Sequence, residues 1–242
     1  MPGLPGHRPL PYLSYLWWST MDDLIKYAPD LLAGFLKNVQ LSVICAILSL
    51  IFGTILVAMR VSPTPVLRGA GAAYVNIVRN TPLTLVLAFS ALGLSDTLGV
   101  TFSEEPSTNS FWLVVLGLSL YTATFVCEAL RSGINTVPMG QAEAARAIGL
   151  TFFQSLRMII LPQAFRAVVA PLGSVIIAMI KNTTVAIAAG YLAESAFVMR
   201  DTFDETGVSI PIFVGIVIAF MIVTLPIGFF TGWLANRLAV AR

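Results

Sequence analysis

One polar, charged stretch interrupts the apolar sequence between Gly140 and Pro162. Residues 141–148 are strong helix formers, and Gly149 can end such a helix or let the backbone turn. A second helical pattern with an apolar face follows over 150–160, and Pro162 can kink or restart the helix beyond it. We predict two short helices that meet at Gly149.

This pair of helices would form a compact knob, because its alanines leave little side-chain bulk. Such a knob can sit in a groove on another protein and transmit a rigid push. Glu143 could cap a helix or pair with Arg146, three residues later. On spacing alone, a solvated helix-turn-helix without a partner is the alternative. The residues we expect to make the contact are Glu143, Ala144, Ala145, Arg146 and Gly149.

Lys181 is a charged residue inside an apolar run, and such residues are functional candidates because they are costly in a membrane. It lies fifteen residues beyond Arg166, which in a helix is roughly 22 Å, past the midplane of a ~30 Å hydrocarbon core. A broken helix would present backbone groups and the lysine to an anionic substrate. The alternative is a snorkelling lysine whose neighbouring threonines bond to their own helix. The polar residues of this run are Lys181, Asn182, Thr183 and Thr184.

Two further polar groups lie at the ends of apolar runs. Arg79, Asn80 and Thr81 either line a pathway at the inner mouth or anchor to lipid phosphate. Glu128 and Arg131 lie three residues apart at the inner end of another run, and we interpret them as a structural ion pair.

The sequence lacks the residues that several kinds of catalysis and metal binding need. No G-x-x-x-x-G-K-[ST] motif occurs, so we expect no ATP hydrolysis by the chain itself, and any ATP dependence must come through a partner. A single histidine, His7, removes most metal sites and most Ser-His or Cys-His catalysis. We therefore expect no catalytic residue, no metal site and no cofactor bound by this chain.

The composition indicates an all-α integral membrane protein. Of 242 residues, 57% are hydrophobic and only 11% charged, whereas soluble domains carry about a quarter charged residues. The net charge of +2 also argues against nucleic-acid binding, which needs a clustered basic surface. The bilayer is thus the first expected partner.

We predict five membrane spans. They cover about residues 40–59, 81–94, 111–130, 164–192 and 210–234. Arginines dominate one set of loops (60–80, 131–166 and 237–242), which holds nine Lys and Arg against four in the opposite set. Since positive residues stay inside, we expect an external N-terminus, a cytoplasmic C-terminus and a cytoplasmic loop at 131–166.

The segment 1–38 precedes the spans as an extracytoplasmic tail. Residues 1–11 are rich in proline, and we expect them to be disordered. The aromatic run 12–18 is too short to span and suits the membrane–water interface. Residues 19–30 follow as an interfacial amphipathic piece or, alternatively, a plain loop.

The polar knob resembles a known family motif at full spacing. Glu143-Ala144-Ala145 is followed after three residues by Gly149, and after nine more by Ile159-Ile160-Leu161-Pro162. This resembles the loop by which membrane subunits of bacterial ABC importers hold their ATPase. The resemblance implies a type I ABC importer transmembrane domain over about residues 39–242, with a cytoplasmic coupling helix.

Other segments widen the resemblance to permease subunits of polar amino-acid ABC importers (the histidine/glutamine/glutamate group), most of all the actinobacterial glutamate-uptake permeases. They include Val78–Leu83, Leu130–Val137 and Lys181–Thr184. Relatives often have Asn followed by a polar residue where this chain has Ser174 and Val175. The departure puts a polar contact at Val175 in doubt and keeps Ser174 as a candidate for the pathway.

The resemblance also implies the partners. They are a second permease subunit, identical or sibling, two ABC ATPase subunits that carry ATP and Mg, and an extracytoplasmic amino-acid-binding protein. One chain would form half of the translocation pathway in the bacterial plasma membrane. The competing function is a secondary amino-acid transporter or channel without an ATPase, although ion coupling usually needs buried acids. An intramembrane enzyme lacks a histidine partner or a buried Asp pair.

Overall fold

The computed structural model describes residues 11–207 and 209–238, which contain helices and no strand. The long helices are α1 (Pro11–Val61), α4 (Pro106–Asn135), α7 (Leu161–Asn182) and α9 (Ile210–Leu238). The shorter ones are α2 (Pro65–Arg79), α3 (Leu83–Ala88), α5 (Met139–Ala147), α6 (Phe152–Ser155) and α8 (Ser195–Thr206). Two π-helical segments continue α3 (Phe89–Thr97) and α6 (Leu156–Ile160), and a 3₁₀ segment continues α7 (Thr183–Ala189). The all-α prediction is confirmed.

Four helical stretches of the described chain are long and apolar enough to cross a membrane, and a bent pair adds a fifth. The four are Asp22–Val61, Pro106–Asn135, Phe152–Ala189 and Ile210–Leu238. The bent pair joins Pro65–Arg79 to Leu83–Thr97 at an angle of 105°. The predicted number of five spans is reached only by counting this pair.

The second span therefore differs from the straight helix predicted over 81–94. The helix that begins at Leu83 has only fifteen residues to Thr97, about 22 Å, and is too short to cross a ~30 Å core alone. Pro82 explains the bend, because it lacks an N–H and disfavours a helical conformation in the residue before it. The crossing needs α2 as well.

The first span is also longer than predicted. Instead of a span over 40–59 and a separate interfacial piece or loop at 19–30, a single helix of 51 residues runs through Pro29. Its N-terminal half is held by tertiary packing that the sequence does not show: Phe35 stacks edge-on against Phe220 of α9 at 5.3 Å. The tail expected to be disordered lies outside the described residues up to position 10.

Helix α4 occupies the centre of the bundle. It runs parallel to α1, because Cys45 lies beside Val115 at one end of the pair and Arg60 beside Glu128 at the other. It runs antiparallel to α7, which Gly133 allows to approach closely: a Cβ at this position would lie 2.9 Å from the Ala164 carbonyl oxygen. The fully buried core residues of α4 include Val114, Leu118 and Val126.

The bundle has two chemically different ends. Arg60, Arg79, Glu128 and Arg131 gather at one end, where the α4–α7 connection carries the Glu143 knob. Asn38 and Glu194 meet at the other end. Between the ends, α9 exposes large apolar side chains such as Ile222 and Phe229, as expected of a surface that faces hydrocarbon. This separation follows the predicted split of arginines and acids.

Candidate functional site

The Glu143 knob is built as two short helices that meet at Gly149. Helix α5 ends at Ala147, and Gly149 has φ +86°, a left-handed conformation that favours glycine. The N–H of Gly149 donates to the Arg146 carbonyl at 3.0 Å, and that of Leu150 to the Ala145 carbonyl at 3.1 Å. The predicted turn at this glycine is confirmed.

The second half of the knob begins with a capping box. The Thr151 hydroxyl accepts from the Gln154 N–H, and the Gln154 side chain accepts from the Thr151 N–H. The π-helical segment then leads into α7, which restarts with Pro162 in its first turn, as predicted. Hydrogen bonds thus close both sides of the turn at Gly149, at the end of α5 and at the start of α6.

The predicted contact residues of the knob divide into two groups. Glu143, Ala144, Arg146 and Gly149 are exposed and free to meet a partner. Ala145 is only 1% exposed, and α5 contacts α6 and the π-helical segment that follows it, so this small side chain packs between the two halves of the knob. The expected contact of Ala145 with a partner stays a prediction, and in this structure the helical phase points the side chain inward.

Glu143 takes neither of its two expected local roles. The N-cap of α5 is Pro138, without a side-chain cap. Among the ion pairs of the described residues, none joins Glu143 to Arg146. Both charges therefore remain available on the surface.

Exposed apolar side chains surround these charges, and the sequence prediction did not include them among the contact residues. Met139 and Ile148 are 75% and 76% exposed at the two ends of α5, and Phe153 is 76% exposed on α6. The expected apolar face of 150–160 is thus largely open. The available signal was the presence of apolar residues beside the charged motif, in a loop that has no core to bury them.

A second feature is a groove between α4 and α7, with a cavity volume of about 380 Å³. Of the predicted pathway residues, it brings together Ser174 and Asn182, with Val175 between them. The α4 wall was not predicted. Its side chains are Tyr121, Thr122 and Phe125, with Ala178 and Met179 completing the α7 side.

The helix at Lys181 is not broken. α7 continues to Asn182 and passes directly into the 3₁₀ segment. The Thr184 hydroxyl donates to the Lys181 carbonyl at 2.8 Å, and the Thr183 hydroxyl to the Ile180 carbonyl at 2.7 Å. The expected display of free backbone groups is therefore wrong, whereas threonines bonded to their own helix are confirmed.

The same segment divides its side chains between inside and outside. Lys181 is exposed, and Asn182 and Thr184 are partly buried. Thr183 is fully buried and its hydroxyl accepts from the Asn38 amide at 3.0 Å. Thr183 therefore does not line an open pathway in this structure. Its burial results from the tertiary contact with Asn38 of α1.

Glu128 is the centre of a larger cluster than the predicted pair. Its main partner is Arg60, which donates a hydrogen bond to Oε1. Arg131 lies 4.0 Å from Oε2 and Arg79 lies 3.9 Å from Oε1. The arginine-rich end thus holds one carboxylate among three guanidinium groups. Beside it, Asn80 and Thr81 bond to the carbonyls of their own helix, those of Asn76 and Ile77.

At the opposite end, two acids cap helices. Glu105 caps α4, and the hydrogen bond from Thr108 lowers the pKa of its carboxyl. Glu194 caps α8 from a fully buried position, and burial raises the pKa of its carboxyl despite bonds from the Ala196 and Phe197 N–H groups and Asn38. Glu194 is therefore not part of an open acidic surface.

Comparison with known families gives a match over most of the chain. The family described as "Binding-protein-dependent transport system inner membrane component" matches residues 47–240. This range includes the knob, the groove and the Glu128 cluster.

Characterised relatives extend the match. A "Glutamate transport system permease protein" of Corynebacterium efficiens is 49% identical over 220 residues, 88% of this chain and 96% of the relative. Its counterpart in Corynebacterium glutamicum is equally similar, with the same coverage. A glutamate/aspartate import permease of Escherichia coli K12 is 34% identical over 171 residues, 68% of this chain and 69% of the relative.

Solved structures share the fold. A chain of an amino acid ABC transporter crystallised with histidines superimposes with a TM-score of 0.77 at 23% identity, over 95% of this chain and 100% of that one. A chain of the inward-facing MetNI methionine ABC transporter gives a TM-score of 0.66 at 16% identity, over 96% and 100%. The fold is therefore that of ABC importer transmembrane subunits.

Proposed function

The chain belongs to the family of binding-protein-dependent transport system inner membrane components, and on that premise we propose that it imports glutamate by coupling to a partner ATPase. It is a multi-pass membrane permease of the amino-acid ABC importer type. The glutamate assignment is supported by 49% identity to permeases that bear that name.

The observation that carries the coupling proposal is the knob. A short rigid helix with exposed Glu143 and Arg146, ringed by exposed Met139 and Ile148, has the composition of a docking element. Its closed junctions allow it to transmit displacement to α7 rather than absorb it. We therefore assign ATP and Mg binding to a partner ATPase that holds this knob.

The other partners of the assembly are inferred from the groove, because one chain forms only half of a translocation pathway. The groove between α4 and α7 is open, so a second permease subunit would complete the wall. The arginine-rich end, with the knob, faces the cytoplasm by the positive-inside rule, and α1 begins outside. An extracytoplasmic binding protein then delivers the amino acid at the opposite end. The pathway side chains are those exposed or partly exposed near the groove and the inner mouth: Ser174, Lys181, Asn182, Thr184, Arg79, Asn80 and Thr81.

The test is substrate-dependent ATP hydrolysis by the complete assembly in nanodiscs. Glutamate, aspartate, glutamine and a cationic amino acid are supplied in turn, each with the binding protein. We expect ATP hydrolysis to be stimulated by glutamate. The stimulation should be lost in Glu143→Lys, because charge reversal disrupts docking, and retained in Glu143→Gln. Stimulation by another amino acid alone would refute the glutamate assignment. Failure of any ATPase to assemble with the chain would refute the coupling proposal and favour a secondary transporter.

A further inference from the structure

Two of the three arginines in the Glu128 cluster donate no hydrogen bond to its carboxylate. Arg60 is mostly buried, with a side chain 9% exposed, and donates its hydrogen bond to Glu128. Arg79 and Arg131 lie 3.9 Å and 4.0 Å from the carboxylate oxygens, too far for a hydrogen bond. Neither side chain donates a hydrogen bond to any other residue that the structure describes.

The charges in this cluster do not balance. One carboxylate faces three guanidinium groups, so two positive charges remain, and they belong to the two open arginines. The side chains of Arg79 and Arg131 are 46% and 43% exposed. A guanidinium group presents a planar fork of donors that matches a carboxylate or phosphate. The cluster therefore has unused donors and unused charge where a ligand can reach them.

The position of the cluster connects it to the groove. Tyr121 and Phe125 line the groove, and Glu128 follows Phe125 by three residues, so all three share one face of α4. These positions are partly exposed, whereas the residues between them are buried. Arg79 reaches the same point from the bend between α2 and α3. The two arginines thus lie at the inner end of the face that lines the groove.

We propose that Arg79 and Arg131 form a carboxylate-binding site at the inner mouth, which receives the transported acidic amino acid before release. The proposal rests on the proposed function and adds a residue role to it. Glu128 lies between the two arginines and competes with the incoming carboxylate, which keeps the site weak enough to release its ligand. An apolar groove that ends at two positive charges favours movement of an anion toward them.

A lipid phosphate has the same oxyanion chemistry and is the other ligand that two arginines can bind at a cytoplasmic surface. Continuity with the groove favours the substrate carboxylate. An experiment can distinguish the two ligands, because binding of a lipid phosphate depends on the lipid composition of the vesicles, whereas binding of the substrate carboxylate does not.

The experiment measures initial glutamate uptake by the complete importer in proteoliposomes, with glutamate-stimulated ATP hydrolysis recorded on the same vesicles. The variants are Arg79→Gln, Arg131→Gln and the pair together. Lysine at the same two positions keeps the charge, and Arg68→Gln removes an exposed arginine from the same helix as Arg79. Each is assayed in phosphatidylcholine vesicles with and without phosphatidylglycerol.

We expect the double glutamine variant to lose uptake by about tenfold, the size expected when charged hydrogen bonds are removed, and each single variant to lose less. Lysine should restore part of the rate, because it keeps the charge but lacks the guanidinium fork, and Arg68→Gln should leave the rate unchanged. The losses should be the same in both lipid mixtures. If the double variant does not assemble, the single variants decide.

Three outcomes would overturn the proposal: wild-type uptake in the glutamine variants, no rescue by lysine, or a loss confined to phosphatidylglycerol vesicles. The last would assign the arginines to a lipid phosphate. If the wild-type assembly shows no glutamate-stimulated ATP hydrolysis, the proposed function fails and takes this site with it. Stimulated hydrolysis together with unaffected variants refutes the site alone.

Discussion

The Asn38 amide donates to the Glu194 carboxylate at 3.3 Å in the interior of the protein, although 156 residues separate the two along the chain. Both side chains are fully buried. Asn38 also donates to the Thr183 hydroxyl at 3.0 Å and accepts from the Ser195 N–H at 2.8 Å. One amide thus joins α1, the 3₁₀ segment after α7, and the start of α8.

Replacing Asn38 with leucine should destabilise the protein. The change leaves the Ser195 N–H without its acceptor inside the bundle and removes two further bonds, and an unsatisfied buried polar group costs about 1–3 kcal/mol. We expect a lower midpoint of thermal unfolding in detergent. Asn135→Leu, at an exposed position on α4, is the matched control. Equal midpoints for the two variants would contradict a structural role of the Asn38 network.

Glu194 should make stability depend on pH. Burial raises the pKa of its carboxyl above the ordinary value of 4.5, so the folded state binds the proton more tightly than the unfolded state. Its contribution is then fully present below the ordinary pKa and is lost as the pH rises through the raised pKa.

Comparison with Glu194→Gln isolates this effect. The unfolding midpoint of the wild type should fall relative to that of Glu194→Gln as the pH rises from 4.5 to about 8. This range brackets a raised carboxyl pKa. Asp204→Asn, at an exposed acid on α8, is the matched surface control. A constant difference over this range would show that the pKa of Glu194 is not raised.

Gly53 should not tolerate a side chain. A Cβ at this position would lie 2.5 Å from Val126 Cγ1 and 3.0 Å from the Ala123 carbonyl oxygen, so alanine would force α1 away from α4. Overpacking of this kind costs about 1–3 kcal/mol. We expect a lower unfolding midpoint for Gly53→Ala and partial recovery when Val126→Ala is added.

Gly69→Ala is the matched control for this change, because a Cβ there meets nothing within 4 Å. On an exposed helix, alanine is favoured over glycine by up to about 1 kcal/mol. The two alanine variants should therefore move the midpoint in opposite directions. The same sign for both would mean that α1 and α4 do not approach as closely at Gly53 as described.

Ile148 should matter for assembly rather than for folding. It is 76% exposed at the end of α5, so aspartate there costs the isolated permease little, while a charge in an apolar contact weakens docking. We expect Ile148→Asp to lose co-purification with the ATPase at least tenfold, a loss of about 1.4 kcal/mol, with an unchanged unfolding midpoint. Ile148→Val keeps the apolar contact and should assemble normally. Normal assembly of Ile148→Asp would place the docking surface elsewhere on the knob.

Local properties of the sequence were sufficient to predict the class of membrane protein and the two short helices of the knob. A charged fraction of only 11%, against about a quarter in soluble domains, indicated a membrane protein. The helix formers before Gly149 and the proline after Ile160 specify two short helices and a turn, because capping and backbone conformation depend on nearby residues. The asymmetry of arginines predicted which ends of the helices gather together.

The tertiary structure decided everything that depends on which faces meet. The bonds of Asn38 to Thr183 and Glu194 join residues far apart in the chain. The approach of Arg60 and Arg79 to Glu128 does the same. The long α1 likewise depends on contacts such as Phe35 with Phe220. A periodic apolar helix has more than one face that can be buried, and only the packing of its neighbours selects one. For that reason the groove wall of Tyr121 and Phe125 could not be read from the sequence alone.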